Sequence, residues 1–145
     1  MFIGNLKETI LLGKKFSQKL NPNSVILLEG PIGAGKTSFV QGLAEGLSIK
    51  ENITSPTFAL SHHYNSGKIP LIHIDLYRLD SSLAAKEFFL AEEEEADQIK
   101  AIIVIEWPKL IKPLVHNYWE IEISYANKYG RNYTIRDSKN SVIFL

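Results

Sequence analysis

The sequence predicts an α/β protein: a mostly parallel central sheet, with an antiparallel hairpin in the middle of the chain and further strands at the C-terminal end. Three observations carry this. The runs Val25-Ile26-Leu27-Leu28 and Ala101-Ile102-Ile103-Val104-Ile105 are short and unbroken in their apolar character, which suits strands covered on both faces. The stretch Gly30-Pro31-Ile32-Gly33-Ala34-Gly35-Lys36-Thr37 follows the first run directly and completes the pattern G-x-x-x-x-G-K-[ST]. An amphipathic segment begins near Thr37, so strand, glycine-rich turn and helix come in the order a phosphate-binding loop requires.

Chance is a poor account of that match. With Gly near 7% of average composition, a hit somewhere in a chain of this length has odds on the order of half a percent. Glycine at Gly30, Gly33 and Gly35 opens backbone conformations closed to other residues and lets the chain approach a ligand closely. The loop N–H groups then converge on phosphate oxygens, backed by the positive end of the next helix. Gly33, Ala34, Gly35, Lys36, Thr37 and Ser38 are therefore the candidate nucleotide-binding residues. Lys36 supplies a point charge to the β- and γ-phosphates and the Thr37 hydroxyl a ligand for Mg²⁺. The expected architecture is the three-layer one of P-loop NTPases.

Length and composition bound the rest. One domain, residues 1–145, is the default at 145 residues, and such a chain buries a real core without staples. Hydrophobic content of 45% and charged content of 22% are ordinary for a globular protein. The absence of cysteine excludes disulfides, thiolate zinc sites and a cysteine nucleophile. A formal net charge of zero argues against an autonomous nucleic-acid binder, whose affinity rests on a basic face. No charged and then apolar leader opens the chain and no apolar run reaches spanning length, so the expectation is a cytoplasmic protein with no membrane partner.

Taken in order, Leu6, Ile10, Leu11, Phe16 and Leu20 recur at helical spacing, and the helix they imply, about 5–20, stops at Asn21-Pro22-Asn23. Lys7, Lys14, Lys15 and Lys19 form its solvated side. Residues 25–29 make a central strand, and the helix after the loop buries Phe39, Val40, Leu43 and Leu47, with Gly46 near its end. Thr54-Ser55-Pro56-Thr57 is a loop in which Pro56 biases Ser55 to an extended conformation. Residues 58–64 and 69–76 read as a hairpin across Asn65-Ser66-Gly67. The histidines His62, His63 and His73 lack a fourth well-placed metal ligand and are read as surface or structural groups. Residues 81–100 form a helix capped by Ser81 or Ser82, with Leu83, Phe88, Phe89 and Leu90 on its apolar side and Glu92 to Glu95 as a solvated face. A short helix over 108–117 and strands over 119–125, 132–136 and 142–145 complete the chain.

Two carboxylates stand out against this frame. Asp75 ends one apolar strand and Glu106 another, and in open α/β sheets ligands sit outside the carboxyl ends of strands. Lys36, Thr37, Asp75 and Glu106 would then surround one crevice, the acids coordinating magnesium and positioning water. Spacing does not say which acid ligates the ion directly, though four apolar residues followed by an acid favours Glu106. Asn127-Lys128-Tyr129-Gly130 lacks the acid of a guanine-reading N-K-x-D motif, so guanine specificity is not supported.

Together these pieces resemble the TsaE (YjeE) family of bacterial P-loop ATPases. The resemblance rests on Glu8-Thr9 with Leu12-Gly13, the loop Gly30 to Thr37, Ser55-Pro56-Thr57-Phe58, His73-Ile74-Asp75-Leu76-Tyr77-Arg78-Leu79 and Ile105-Glu106-Trp107-Pro108. It departs in the glutamate run after Arg78, and Gly130-Arg131 matches only loosely. The resemblance implies ATP with Mg²⁺, weak hydrolysis alone, and a complex with TsaD and TsaB in which TsaD modifies adenosine 37 of tRNA, so that tRNA is met only through the complex. It casts Ser55 and Thr57 as a switch-I-like loop sensing the γ-phosphate, Glu106-Trp107 as a switch-II-like element, and Thr9 as a neighbour of the base or ribose. The expected chemistry is phosphoryl transfer to water, with Lys36, Glu106, Asp75 and Thr57 as candidate catalytic residues and Thr37, Asp75 and Glu106 as candidate metal ligands. A small-molecule kinase is the enzymatic rival, although no arginine-rich lid is evident, and a nucleotide-dependent interaction module is the non-enzymatic one.

Overall fold

The computed structural model describes residues 1–145. Its strands are β1 (Phe2–Ile3), β2 (Val25–Glu29), β3 (Ser61–Tyr64), β4 (Leu71–Asp75), β5 (Ile102–Glu106), β6 (Trp119–Tyr125), β7 (Arg131–Arg136) and β8 (Val142–Ile143). The helices are α1 (Leu6–Ser17), α2 (Lys36–Gly46) and α3 (Ser82–Ile99). All strands join one sheet in the order β1-β7-β6-β2-β5-β4-β3, with β8 on β7. Within it β6, β2, β5 and β4 are mutually parallel, and the remaining pairs are antiparallel. The mostly parallel sheet, the hairpin and the C-terminal strands are as the sequence predicts.

Burial explains the layers. Ile26, Leu28, Leu71, Ile102, Val104, Ile121 and Ile123 point to one face and pack with Phe16 of α1 and Phe39, Val40 and Leu43 of α2. Leu27, Ile72, Ile74, Ile103 and Ile105 point to the other face, against Ala85, Phe89 and Ala96 of α3. Alternation along each strand thus feeds two cores, which is why β2 and β5 at the centre of the sheet are apolar up to their terminal acids, while β6 alternates Ile121 and Ile123 with the polar Glu120, Glu122 and Ser124. Asn5 caps α1 by accepting from the Glu8 N–H at 3.0 Å, and Glu8 reaches back to the Gly4 N–H at 2.7 Å. No helix is long and apolar enough to cross a membrane.

Several elements differ from the sequence reading. In α1 the buried stripe runs through Thr9, Leu12, Gly13 and Phe16, while Leu6 and Leu11 are exposed. Phe58 is not in a strand: it lies in a turn, 85% exposed, and β3 begins only at Ser61, after Leu60 adopts a left-handed conformation (φ 67°). Leu83 and Leu90 are exposed, and small Ala85 and Ala96 let α3 approach the sheet in their place. The glutamate run is only partly solvated, since Glu92 accepts from Ser61 Oγ at 3.0 Å and His63 Nε2 at 2.6 Å and so ties α3 to β3. Residues 108–117 form two 3₁₀ turns, Pro108–Leu110 and Lys112–Leu114, because Pro113 lacks the N–H that a continuous helix needs. The two-residue β1 carries no sequence signal. It forms because the first residues pair with β7, Met1 and Tyr133 exchanging main-chain bonds at 2.8 Å.

Candidate functional site at the carboxyl edge of the sheet

Parallel strands end at one edge, so the residues that follow them meet. Leu28 lies opposite Glu106 and Asp75 opposite Glu106 in the ladder, which sets the glycine loop after β2 beside both acids. Ile32, Gly33, Gly35, Lys36, Thr37, Ser38, Ser55, Thr57, Asp75, Tyr77, Glu106 and Trp107 line a cleft of about 430 Å³. A second cleft of about 270 Å³ adjoins it across the loop, sharing Gly33, Gly35 and Ser38 and adding Ala34, Thr9, Gly4, Asn5 and Arg131. The structure therefore brings together every candidate residue named above, with Thr9 and Ala34 on the far side of the loop.

The loop owes its shape to local constraints. Gly33 (φ 76°) and Gly35 (φ 101°) take left-handed conformations, and Gly35 caps α2 without a side chain, leaving the first N–H groups of the helix open to the cleft. Lys36 is buried, and its ammonium donates to the carbonyls of Gly30 (2.6 Å) and Pro31 (3.0 Å). It also lies 4.2 Å from the centre of the Trp107 ring, a cation–π contact. Burial lowers the Lys36 pKa, opposed by the charges of Glu106 and Asp75.

The acids differ in how they are held. Asp75 Oδ2 accepts from Thr57 Oγ1 at 2.9 Å and Oδ1 from the Tyr77 N–H at 2.9 Å. Because the Thr57 hydrogen goes to Asp75, Ser55 is the donor in the 2.8 Å Ser55–Thr57 contact, making a relay into the carboxylate. Glu106 is 2% exposed, and its Oε2 accepts from His73 Nε2 at 3.0 Å. Just beyond it Trp107 is left-handed (φ 58°), a conformation that costs a non-glycine residue about 1–3 kcal/mol and turns the indole across Lys36. Tyr77 packs on that indole, 4.9 Å between ring centres.

Two holding contacts come from distant strands. Tyr125 at the end of β6 donates to the Ile32 carbonyl at 2.5 Å, and Arg131 at the start of β7 donates to the Gly33 carbonyl at 3.2 Å while stacking on Tyr125. Sequence reasoning did not find these two, nor the His73–Glu106 bond. No local pattern marks them, although the position of His73 in an otherwise apolar strand was a usable signal.

The donor set suits a hard cation shared with phosphates. No group of three or more His, Cys, Asp or Glu side chains could cage a metal alone, but the Thr37 hydroxyl and two carboxylates offer oxygens beside the loop. Magnesium characteristically binds through one or two carboxylates plus substrate phosphates.

Fold and cleft together define a P-loop protein of the α/β class. The family model described as threonylcarbamoyl adenosine biosynthesis protein TsaE matches residues 3–133, and the chain belongs to the TsaE family. Curated relatives called tRNA threonylcarbamoyladenosine biosynthesis protein TsaE include one from Nostoc sp., 40% identical over 90% of this chain and 81% of its own length. The Aquifex aeolicus relative is 38% identical over 84% and 85%, and that of Bacillus subtilis 37% over 74% and 65%. Among solved structures, Bacillus subtilis YdiB superposes with a TM-score of 0.76 at 30% identity, covering 93% of this chain and 82% of that one.

Proposed function

We propose that this protein is a magnesium-dependent, weakly hydrolysing ATP-binding subunit required for threonylcarbamoyl modification of tRNA adenosine 37, working in the cytoplasm with TsaD and TsaB. One observation carries the reading: Lys36, Thr37, Thr57, Asp75 and Glu106 converge on a single cleft at the N-terminus of α2. Membership of the TsaE family supports the tRNA-modification role.

On this reading the loop amides and the α2 N-terminus bind the phosphates, and Lys36 exchanges its carbonyl partners at Gly30 and Pro31 for phosphate oxygens. Thr37, Asp75 and Glu106 are the residues that would hold Mg²⁺, which when bound neutralises charge on the β- and γ-phosphates. Thr57 shifts between Asp75 and the nucleotide, so the Ser55–Thr57 loop senses the terminal phosphate. Thr9 and the second cleft take the base or ribose. Positioning and charge do most of the work, because hydrolysis of this kind asks little covalent chemistry of the protein.

The test is to measure ATP binding and hydrolysis by the protein alone and with TsaD, TsaB and tRNA, for wild type and Lys36→Ala. The expected result is magnesium-dependent binding, faster hydrolysis in the complex, and loss of about 3 kcal/mol or more of transition-state stabilisation in the variant. Unchanged turnover in Lys36→Ala, or no adenine-nucleotide binding, overturns the reading. Phosphate transfer to a small acceptor would instead identify a kinase. Support of tRNA modification under hydrolysis-blocked conditions would identify an interaction module.

A further inference from the structure

Behind the wall of the cleft lies a fully buried side-chain contact that the proposed function does not use. His73 is completely buried in β4, a strand otherwise made of Leu71, Ile72 and Ile74 before Asp75. It sits two residues before Asp75 on the same face of the sheet and reaches diagonally to Glu106, which lies opposite Asp75 in the ladder. An imidazole enclosed like this costs free energy unless it is hydrogen-bonded, and an aliphatic side chain would fill the position without that cost. His73 Nε2 meets Glu106 Oε2 at 3.0 Å, whereas Nδ1 is buried with no partner at all. The ring hydrogen therefore belongs on Nε2, the nitrogen that faces a carboxylate oxygen.

The contrast with Asp75 gives this contact its meaning. Both Asp75 oxygens are engaged, one by Thr57 on a loop outside regular secondary structure and one by the Tyr77 amide. Glu106 has one oxygen tied inward by a side chain on a rigid central strand, and its other oxygen makes no hydrogen bond at the edge of the cleft. We infer that His73 is a positioning residue: it pins one Glu106 oxygen to the sheet and so presents the other, singly and in a fixed direction, to the cation and water of the nucleotide site. Such a partner behind a ligating carboxylate typically controls metal affinity or activity by about 10- to 100-fold.

The inference rests on the proposed magnesium–nucleotide reading, and the experiment separates the two. ATP affinity is measured by calorimetry with and without magnesium, together with the magnesium dependence of turnover, for wild type, His73→Leu and His73→Gln. In His73→Leu the magnesium-dependent part of binding and the turnover should fall about 10- to 100-fold, while affinity without magnesium stays at the wild-type level. In His73→Gln, whose amide can donate from near the Nε2 position, most of the loss should be restored. A His73→Leu protein with wild-type magnesium dependence, or one losing magnesium-free affinity in parallel, overturns the inference. A wild type with no magnesium-dependent binding ends the underlying reading instead. Should the leucine variant not fold, long-range ¹H–¹⁵N spectra of the metal-free wild type decide: hydrogen on Nε2 upholds the inference and hydrogen on Nδ1 overturns it.

Discussion

At the scale of single residues, the cleft is an arrangement of charges that restrain one another. Lys36 is buried between backbone carbonyls, an indole face and two carboxylates, so its charge is available to an incoming anion while costing desolvation in the free protein. Burial lowers its pKa from 10.5, and on the proposed function a bound triphosphate would raise it again through its negative charge. Binding therefore takes up a proton once the pH exceeds the free-protein value. ATP affinity should be flat below that point and then fall by up to about tenfold per pH unit, with the fall beginning below pH 10.5. Calorimetry across the alkaline range checks the sign, and an affinity that rises there contradicts it. Glu106→Ala should remove magnesium-dependent hydrolysis much more than nucleotide binding, measured as turnover against Kd. Equal loss of both would mark Glu106 as a structural acid.

At the scale of elements, the position of the loop depends on how closely α1 and α2 approach. A methyl group added at Gly42 would meet the Ile10 carbonyl at 2.1 Å, and one added at Gly13 would meet the Phe39 carbonyl at 2.3 Å. These are backbone atoms, so no side-chain adjustment relieves the clash and the helices must separate. Gly42→Ala should destabilise the protein by about 1–3 kcal/mol, lowering Tm by about 4–12 °C for a domain of this size. Because α2 carries Lys36, Thr37 and Ser38 in its first turn, ATP affinity should fall as well. Thermal unfolding followed by circular dichroism, together with calorimetry, would measure both effects. An unchanged Tm would show that the helix pair tolerates a wider spacing.

At the scale of the whole molecule, the C-terminal strands act as a brace for a loop almost a hundred residues earlier. Because β6 runs parallel to β2, its end delivers Tyr125 to the Ile32 carbonyl, and β7 returns Arg131 to the Gly33 carbonyl. Tyr125→Phe keeps the ring under Arg131 but loses the hydrogen bond, so ATP should bind about two- to fivefold more weakly. Calorimetry checks this, and an unchanged Kd would show that the loop holds its shape unaided. The contrast between loop and brace marks how far the chain could be read in one dimension. The phosphate loop, the two buried strands and the acids at strand ends were legible because each is a contiguous pattern whose backbone consequence is local. The residues around 58, 83 and 108–117 were misassigned because a left-handed Leu60, the small residues Ala85 and Ala96, and the missing N–H of Pro113 outweighed simple apolar spacing. Pairing of β6 with β2, the short β1 and the Tyr125–Arg131 brace left no local trace, and the His73–Glu106 bond left only a lone histidine in an apolar strand. Each joins positions far apart in the chain, and such partners are chosen only when both faces of the sheet are covered and the strand register is set.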